Sequence, residues 1–462
     1  MKSWRIATLT FLLITALVYG GNFLLADIKD QPPAGGSGIS VDIFGSASGL
    51  PMVRKDPVAV PLFKNTGEGA DRMGLSRKFA DLSSEDMRMT GRFDVIDRSM
   101  YVENPYTAGV MPGQFDFADW SVINAEYLIK GNFEVTESRL MVQFRLYHVP
   151  TKRLLVGKEY TGRPDDWALM THRFSNDVVY ELTREKGIFG TKIAFVSASG
   201  RTQELYVVDV DGNNLRRLTY LNGLAKNPTW SPDGKQIVFA WASADDHIML
   251  NQLYAINANG GEPQKLLEIK GLIITPRFSP SGSRIAVAMS FEGNMEIYTV
   301  SAHGGKPQRL TNSNAIELFP SWSPQGDRLL FVSDRSGGPQ IWMMRADGTE
   351  PHRVSYFGAY NQSPDWSPKG DKIVYSARES GGFNILMMDP DGTNTTVITQ
   401  GQGFGSCEYP VFSPDGRAIA LTSGSTKWRN IRIFNIDASY TKVLTKPGSN
   451  DKNPAWSPRL ID

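Results

Sequence analysis

Cysteine and histidine are scarce in this 462-residue chain, which contains one cysteine, Cys407, and five histidines. A single cysteine excludes an internal disulfide and any multi-cysteine metal site, and we expect it to be a small buried thiol. No two histidines lie four residues apart and none has carboxylates at the spacing of a metal site, so we predict neither a metal nor a cofactor. We expect the histidines to be solvated or locally hydrogen-bonded; they are His148, His172, His247, His303 and His352.

Net charge is also nearly absent. The 49 lysines and arginines almost balance the 48 aspartates and glutamates, which gives a net charge of +1. Basic and acidic residues alternate and form no stripe, so neither nucleic acid nor an anionic membrane surface is a predicted partner.

Catalytic motifs are missing as well. The chain has no Gly-x-Ser-x-Gly phrase, since the nearest segment, 45–49, has alanine at its centre, and it has no glycine-rich phosphate loop. Two acidic turns, 209–213 and 389–393, carry glycine at the fourth position, and Tyr220 and Gln400 stand at the twelfth, where a calcium loop needs glutamate. We interpret both as hairpin turns, and the missing serine phrase argues against a propeller-gated serine hydrolase.

A short phrase, Trp-Ser-Pro-Asp-Gly or a variant of it, recurs six times in the second half of the chain. The copies lie 48, 44, 44, 46 and 44 residues apart, which is the spacing of four-stranded propeller blades. They begin at Trp230, Phe278, Trp322, Trp366, Phe412 and Trp456. Proline and glycine suit the phrase to a tight turn, and β-rich runs follow it. Each period therefore predicts four short strands.

The two ends of the array are offset. Residues 192–219 supply three strands without the leading aromatic phrase, whereas the unit at Trp456 supplies only that leading strand. The last strand would therefore complete the first blade, which removes exposed sheet edges. We predict a six-bladed β-propeller over residues 190–462, closed by the C-terminal strand.

Residues 1–26 are typical of a secretory signal peptide, with Lys2 and Arg5 ahead of an apolar run. Cleavage after residue 20 and cleavage after residue 26 both stay open, as does retention of the segment as an anchor. Residues 27–55 have linker composition around an alternating segment at 39–44, which predicts an extended N-terminal segment. That segment either docks on its own protein or is held ready for a partner.

Residues 56–186 have a mixed pattern that predicts a small α/β domain in the order β-α-β-α-β-β-β-α. The predicted strands cover 58–63, 93–97, 127–135, 140–148 and 154–160. The predicted helices cover 71–90, a short stretch around Trp120, and 167–182. Together with the propeller, this domain makes the predicted fold class α+β multidomain.

An export signal, a small α/β domain and a propeller with these repeats together resemble the TolB family, soluble periplasmic proteins of the Tol-Pal envelope system. The resemblance covers nearly the whole chain and is carried by Pro-x-Trp at 228–230, Pro-Ala-Trp-Ser-Pro at 454–458 and Val-x-Val-Pro-x-Phe at 58–63. The chain departs from the family in the proline- and glycine-rich stretch at 30–38, which leaves the cleavage position and the register of 39–44 open.

The resemblance implies a non-catalytic, monomeric periplasmic adaptor that supports outer-membrane integrity and constriction during cell division. It implies that the propeller binds the lipoprotein Pal and that the N-terminal segment binds TolA by adding a strand to it. The implied TolA-binding residues are Ile39, Val41, Asp42, Ile43 and Phe44. The implied Pal-binding residues, at one mouth of the channel, are Thr275, Glu317, Leu318, Asn361, Gln362, Glu408 and Lys452. A ligand-binding or hydrolytic periplasmic propeller is the alternative.

Overall fold

The computed structural model describes residues 55–105, 107–244, 250–291, 293–379, 381–399, 402–425, 427–446 and 448–461. All of these residues belong to one compact unit. The predicted signal peptide at 1–26 and the predicted strand at 39–44 lie outside them. Within the described ranges, no helix is both long enough and apolar enough to cross a membrane.

The N-terminal domain of this unit alternates strands and helices. Its strands are β1 (Asp56–Ala59), β2 (Lys64–Asn65), β3 (Phe93–Val95), β4 (Tyr127–Val135), β5 (Leu140–His148) and β6 (Arg153–Gly162). Its helices are α1 (Leu75–Met89), α2 (Ala118–Ser121) and α3 (Trp167–Thr183), with 3₁₀ turns at Arg98–Met100 and Pro164–Asp166.

The six strands form one sheet in the order β3-β1-β4-β5-β6, and β2 also pairs with β4. β1 runs parallel to β3 and β4, whereas β4, β5 and β6 form an antiparallel meander. Helices α1 and α3 share one apolar core with the sheet. In that core the ring centroid of Phe144 lies 5.6 Å from that of Phe79 on α1 and 4.7 Å from that of Phe174 on α3.

The first predicted strand is divided in the structure. The pattern predicts one strand over 58–63, but β1 ends at Ala59 and β2 begins at Lys64. Pro61 lies between them and has no backbone N–H, so it cannot donate to a strand ladder. The prediction of a continuous strand is therefore wrong at this proline.

The other predicted elements of the domain are present, with shifts at their ends. Strands β4 and β5 have the predicted bounds. Helix α1 begins at Leu75 rather than at residue 71, because the Asp71 carboxylate accepts hydrogen bonds from the N–H groups of Leu75 and Ser76, each at 2.8 Å. Beyond its end, Gly91 has the positive φ of 70° that is common after a helix C-terminus.

From Lys192 onward the described chain forms strands joined by tight turns. These strands are β7 (Lys192–Ser199), β8 (Thr202–Asp209), β9 (Arg216–Arg217), β10 (Leu224–Trp230), β11 (Gln236–Ala242), β12 (Leu250–Asn257), β13 (Gln264–Lys270), β14 (Ile273–Phe278), β15 (Arg284–Met289), β16 (Glu296–Ser301), β17 (Gln308–Arg309), β18 (Glu317–Trp322), β19 (Arg328–Ser333), β20 (Gln340–Arg345), β21 (His352–Arg353), β22 (Asn361–Trp366), β23 (Ile373–Glu379), β24 (Gly382–Met388), β25 (Thr396–Val397), β26 (Ser406–Phe412), β27 (Ala418–Gly424), β28 (Arg429–Asn435), β29 (Thr441–Val443) and β30 (Asp451–Trp456).

These strands form four separate four-stranded sheets and one eight-stranded sheet. The four-stranded sheets are β14–β17, β18–β21, β22–β25 and β26–β29. The eight-stranded sheet contains β7–β9, β10–β13 and the last strand, β30. Its two halves are joined by the parallel pairing of Leu224 with Gln203. The sheets therefore differ from the six separate blades that the repeat spacing predicts.

The last strand pairs with the first strand of the repeat region. Strand β30 runs antiparallel to β7, with Trp456 opposite Ile193 and Asp451 opposite Ser197. The indole Nε1 of Trp456 also donates a hydrogen bond to Thr191 Oγ1 at 2.9 Å. We call the six strands that end at the repeated aromatic residue the leading strands: β10, β14, β18, β22, β26 and β30. Each contacts the next in that order, and β30 contacts β10.

The N-terminal domain packs against the repeat region through a buried contact. Met89 and Phe189 belong to the same apolar cluster as Ile433 of β28. The Gly91 backbone lies so close to the Ser439 side chain that a Cβ atom on Gly91 would be 2.1 Å from Ser439 Oγ.

Cys407 is fully buried in β26, as the sequence predicts for a lone thiol. It packs in an apolar cluster with Ile385 of β24 and Leu421 of β27. Burial raises the pKa of its thiol to about 12, so the thiol stays protonated at neutral pH and is a poor nucleophile.

Candidate interaction site at the channel mouth

Each leading strand contains a residue in the left-handed backbone conformation. The six residues have φ between 47° and 56°, and each stands immediately before a proline. They are Asn227, Thr275, Phe319, Ser363, Tyr409 and Asn453. The ladder to the neighbouring strand is interrupted at each of these positions, as at a β-bulge.

Positive φ is most unfavourable for the β-branched Thr275 and for the aromatic Phe319 and Tyr409. Strain of this kind costs roughly 1–3 kcal/mol per residue and is concentrated at functional sites. Hydrogen bonds from the preceding repeat hold two of the strained residues. The N–H of Phe319 donates to Thr275 Oγ1 at 3.3 Å, and the N–H of Tyr409 donates to Ser376 Oγ at 3.1 Å.

The six left-handed residues meet at one small cavity. All six line it, together with Arg277 and several of the prolines that follow them. Every leading strand contributes a residue to this cavity, which we call the channel.

Two opposite charges, Arg277 of β14 and Asp365 of β22, lie in this channel. Asp365 accepts hydrogen bonds from the N–H of Phe412 at 2.9 Å and from Ser321 Oγ at 3.4 Å. Burial raises the pKa of Asp365 to about 6, and the Arg277 guanidinium opposes this rise. Burial likewise lowers the pKa of Arg277, against the attraction of Asp365. The pair therefore supplies nearly compensating charges at the channel wall.

The residue before each left-handed residue lies one step nearer the end where the leading strands begin. We call these six residues the mouth ring: Lys226, Ile274, Leu318, Gln362, Glu408 and Lys452. In the order of the leading strands, Ile274 and Leu318 are neighbours, and the four polar residues follow one another. The mouth ring therefore has an apolar side and a polar side.

Glu408 is the centre of the polar side. Its Oε1 lies 2.8 Å from Nη1 of Arg429, and Gln362 Nε2 donates to its Oε2 at 3.5 Å. Burial and the nearby Arg429 charge lower the pKa of Lys452, while Glu408 opposes them. Burial also lowers the pKa of Lys226 to about 8.

The structure brings five of the seven residues predicted to bind Pal to this channel. Four belong to the mouth ring, and Thr275 lines the cavity. The four are Leu318, Gln362, Glu408 and Lys452. The five residues predicted to bind TolA, Ile39, Val41, Asp42, Ile43 and Phe44, lie outside the described residues.

The remaining two predicted residues, Glu317 and Asn361, are fully buried within their own sheets. Glu317 Oε1 accepts a hydrogen bond from Arg335 Nη2 at 2.7 Å. Asn361 Nδ2 donates to Gln340 Oε1 at 2.8 Å. Both side chains thus fix the connections that precede β18 and β22.

Exposed aromatic side chains surround the same mouth. They are 47–70% exposed and comprise Tyr220, Phe291, Tyr356, Phe357 and Trp428. Tyr220, Tyr356 and Phe357 lie in loops that join the outer strand of one repeat to the next leading strand. Phe291 and Trp428 lie in loops that join the second strand of a repeat to its third. Both kinds of loop are at the end of the repeat region where the leading strands begin. Arginine guanidiniums lie 4.2 Å from the Tyr220 ring and 5.2 Å from the Tyr356 ring. The sequence signal for these aromatics is weak, because single aromatics in loops have no periodicity.

The N-terminal domain lies against the opposite end of the repeat region. Its Glu185 carboxylate lies 3.0 Å from Lys369 Nζ and 2.7 Å from Arg417 Nη2, both at Ser-Pro-x-Gly turns. Its Glu85 lies 2.8 Å from Lys442 Nζ at the start of β29. These turns are at the far end from the exposed aromatics, so this domain leaves the mouth uncovered.

A buried histidine also joins the N-terminal domain to the repeat region. Nδ1 of His172 on α3 lies 3.0 Å from Asp86 Oδ2 on α1, and its Nε2 lies 3.3 Å from Asp211 Oδ2 in the turn after β8. Burial opposes protonation, but the two carboxylates outweigh it and raise the pKa of His172 to about 10. The expectation of a solvated or locally bonded histidine is therefore wrong for His172, because its partners are distant in sequence.

Two family models match the chain. The TolB beta propeller domain matches residues 179–460, and the TolB amino-terminal domain matches residues 51–155. The first of these alone covers more than half of the chain. The chain belongs to the TolB family.

Curated relatives agree with this assignment. The chain is 40% identical to the Tol-Pal system protein TolB of Geobacter metallireducens over 169 residues, and 33% identical to that of Desulfosudis oleivorans over 189 residues. These alignments cover 37% and 41% of this chain and 39% and 43% of the relatives. The chain thus matches about two fifths of the length of these TolB proteins.

A solved structure extends the likeness in fold. The crystal structure of TolB from Acinetobacter baumannii aligns with a TM-score of 0.73 at 21% identity, over 88% of this chain and 97% of that one. The chain therefore has the TolB fold, an N-terminal α/β domain followed by a β-propeller.

Proposed function

We propose that this protein is a non-catalytic adaptor of the Tol-Pal system in the periplasm. In this proposal the channel mouth binds Pal and the N-terminal segment binds TolA, which supports outer-membrane integrity and constriction during cell division. Membership of the TolB family supports a role in that system, and the geometry of the mouth supports the Pal site.

The proposal includes a propeller of six blades over residues 190–462, preceded by the domain at 56–186. We divide the eight-stranded sheet into two blades, β30 with β7–β9 and β10–β13, because its halves share only the pairing of Leu224 with Gln203. The pairing of β30 with β7 would then close the ring, and the contact between β30 and β10 supports this.

The observation that carries the Pal proposal is the distribution of exposed aromatics. Large exposed aromatic side chains on a soluble protein mark interaction surfaces, and aromatic residues dominate interface energetics. Tyr356, Phe357 and Trp428 lie around the mouth that the N-terminal domain leaves uncovered, about half to two thirds exposed. Cation-bearing loops between them would form the polar rim of an interface with an apolar centre.

The seven residues predicted to bind Pal divide into two roles in this proposal. Lys452 is partly exposed and would contact the bound segment, whereas Thr275, Leu318, Gln362 and Glu408 are nearly buried and would shape its seat. Glu317 and Asn361 are buried, so we assign them to positioning the loops before their strands.

The TolA site remains the segment at 39–44 in this proposal. Its alternation of apolar and polar residues suits addition to the edge of a sheet, where main-chain hydrogen bonds supply the affinity. Replacing Val41 with proline removes one backbone donor and should abolish TolA binding while leaving Pal binding unchanged. Wild-type TolA affinity in V41P would assign the segment a role within its own protein.

Calorimetric titration with the soluble domain of Pal from the same genome tests the Pal site. We expect the double variant Tyr356→Ala, Phe357→Ala to weaken binding by at least tenfold, since a buried interface aromatic contributes on the order of 2 kcal/mol. Tyr180→Ala is the matched control, because Tyr180 is 50% exposed on α3, away from the mouth. Equal affinity of the double variant and the control would move the Pal site elsewhere.

A further inference from the structure

The mouth ring is divided around the channel into an apolar and a charged side. Ile274 and Leu318 stand on neighbouring leading strands β14 and β18 and are 3% and 2% exposed. Glu408 and Lys452 stand on neighbouring strands β26 and β30 on the other side. Because Ile274 and Leu318 are nearly buried, a segment seated over the mouth would meet charge on the side of Glu408 and Lys452 and little exposed apolar surface on the other.

On the charged side, strands β26, β28 and β30 carry three cations, Arg429, Arg432 and Lys452, for two carboxylates, Glu408 and Asp451. The Glu408 carboxylate is bound to Arg429 at 2.8 Å, and both side chains are nearly buried. Strand β28 begins at Arg429, whose N–H donates to the Ser449 carbonyl at 3.0 Å, so this arginine lies beside the chain that leads to Lys452. Glu408 thus pairs with Arg429, and its charge also favours the protonated form of Lys452.

The balance of charge at Lys452 follows from this arrangement. The ammonium is half-buried next to a second cation, and both conditions disfavour its charge, as the lowered pKa of Lys452 shows. A half-buried cation in excess over its local carboxylates is stabilised when a further anion approaches. The charge of the Lys452 ammonium is therefore more stable in a complex with an anionic group than in the free protein.

We propose that the partner segment seated in this mouth carries an aspartate or glutamate side chain that pairs with Lys452 beside Arg429. This inference rests on the proposed function and specifies the chemistry of the partner at that site. The same arrangement discriminates against a basic segment, since that would place a third cation against Arg429 and Lys452.

Titration of the soluble Pal domain against Lys452 variants tests the inference. We expect Lys452→Met to weaken binding at least tenfold in 50 mM NaCl and to reduce the salt dependence of the dissociation constant, since one screened ion pair is lost. Lys452→Arg keeps the cation and should bind within about threefold of wild type. Lys270→Met is the control, because Lys270 is exposed at the end of β13 near the same mouth, outside the mouth ring.

Thermal stability distinguishes a binding role of Lys452 from a structural one. Removing a cation that burial and Arg429 disfavour should leave the melting temperature of Lys452→Met unchanged or raise it, while binding falls. A lowered melting temperature would indicate that Lys452 stabilises the fold, and the proposal would then be wrong.

Charge-reversal variants of acidic residues in Pal provide a further test. Some Asp→Lys or Glu→Lys variant of Pal should bind Lys452→Glu more tightly than it binds the wild-type protein. If wild-type protein binds Pal but Lys452→Met binds equally well with the same salt dependence, the carboxylate inference fails and the Pal site stands. If the wild-type protein does not bind Pal at all, the proposed function itself fails.

Discussion

Nε2 of His172 lies 3.3 Å from Oδ2 of Asp211, which places an imidazole of the N-terminal domain in a buried ion pair with the repeat region. Asp86 holds the other ring nitrogen at 3.0 Å, so one protonated histidine compensates two carboxylates. The pair is the most deeply buried charged contact described above between the two parts of the chain, because both side chains are at most 6% exposed.

Stability should fall on the alkaline side because of His172. Its folded pKa of about 10 lies above the ordinary 6.5, so its stabilisation is fully present below pH 6.5 and is lost as pH rises toward 10. Burial raises the pKa of Asp211, but hydrogen bonds donated by His172 and Asn213 outweigh this and lower it to about 2. The contribution of Asp211 to the free energy of unfolding is therefore lost as pH falls from 3.8 toward 2. Urea unfolding between pH 6 and 10 measures the alkaline slope.

His172→Gln should flatten that slope and cost about 3–5 kcal/mol at pH 6, because it leaves two buried carboxylates without their cation. His303→Gln, at an exposed turn, is the control and should change neither quantity. An unchanged slope in H172Q would show that other groups set the alkaline loss.

Trp456 should contribute more to stability than the equivalent tryptophan of another repeat. Trp456 and Trp366 are both 7% exposed, but Trp456 Nε1 donates to Thr191, whereas Trp366 Nε1 has no partner among the described residues. Truncation of a buried tryptophan costs about 3–5 kcal/mol. In denaturant unfolding, Trp456→Ala should cost about 1 kcal/mol more than Trp366→Ala, because it also removes the hydrogen bond to Thr191. Equal losses would argue against a special role of the last strand.

Ser363→Gly should stabilise the protein. Ser363 has φ 53°, and its buried Oγ has no hydrogen-bond partner among the described residues. Glycine removes both the left-handed strain and the unsatisfied hydroxyl. These gains outweigh the entropic cost of glycine, roughly 0.5–1 kcal/mol, so the free energy of unfolding should rise by about 1 kcal/mol. Ser321→Gly on β18 should destabilise instead, because Ser321 has ordinary strand geometry and its Oγ donates to Asp365. A melting temperature of S363G below wild type would contradict the strain argument.

Gly91→Ala should weaken the contact between the domain and the repeat region. A Cβ there would lie 2.1 Å from Ser439 Oγ, and φ is 70°, so strain and collision add to at least about 2 kcal/mol. Ser439→Ala in the same chain should recover the part due to the Ser439 hydroxyl but not the backbone strain. A double-mutant cycle in urea measures that coupling, and additive losses would show that the Ser439 hydroxyl carries none of the cost.

The repeat spacing allowed the leading strands to be predicted, because each ends at an aromatic residue before a Ser-Pro turn. The same offset predicted that the strand at Trp456 pairs with the one at Ile193, which the structure contains. The left-handed residues were not predictable in this way, since threonine, phenylalanine and tyrosine have no preference for positive φ. Their conformation is enforced by neighbouring repeats and by the proline that follows.

The candidate site was predicted in part. Residues next to the leading strands reach the channel because strand direction follows from the repeat, but which of them are buried depends on contacts such as that of Glu317 with Arg335. His172 and its two carboxylates are separated by many residues in the sequence, and local pattern carries no information about such an encounter.

The pairing of β7 with β30 has a consequence for the order of folding. Its two strands come from opposite ends of the repeat region, so this ladder has a large loop-closure entropy and forms late. Until Asp451–Trp456 is available, β7 presents a free strand edge to other chains. In a growing or refolding molecule, residues 451–456 therefore determine when the free edge of β7 is covered.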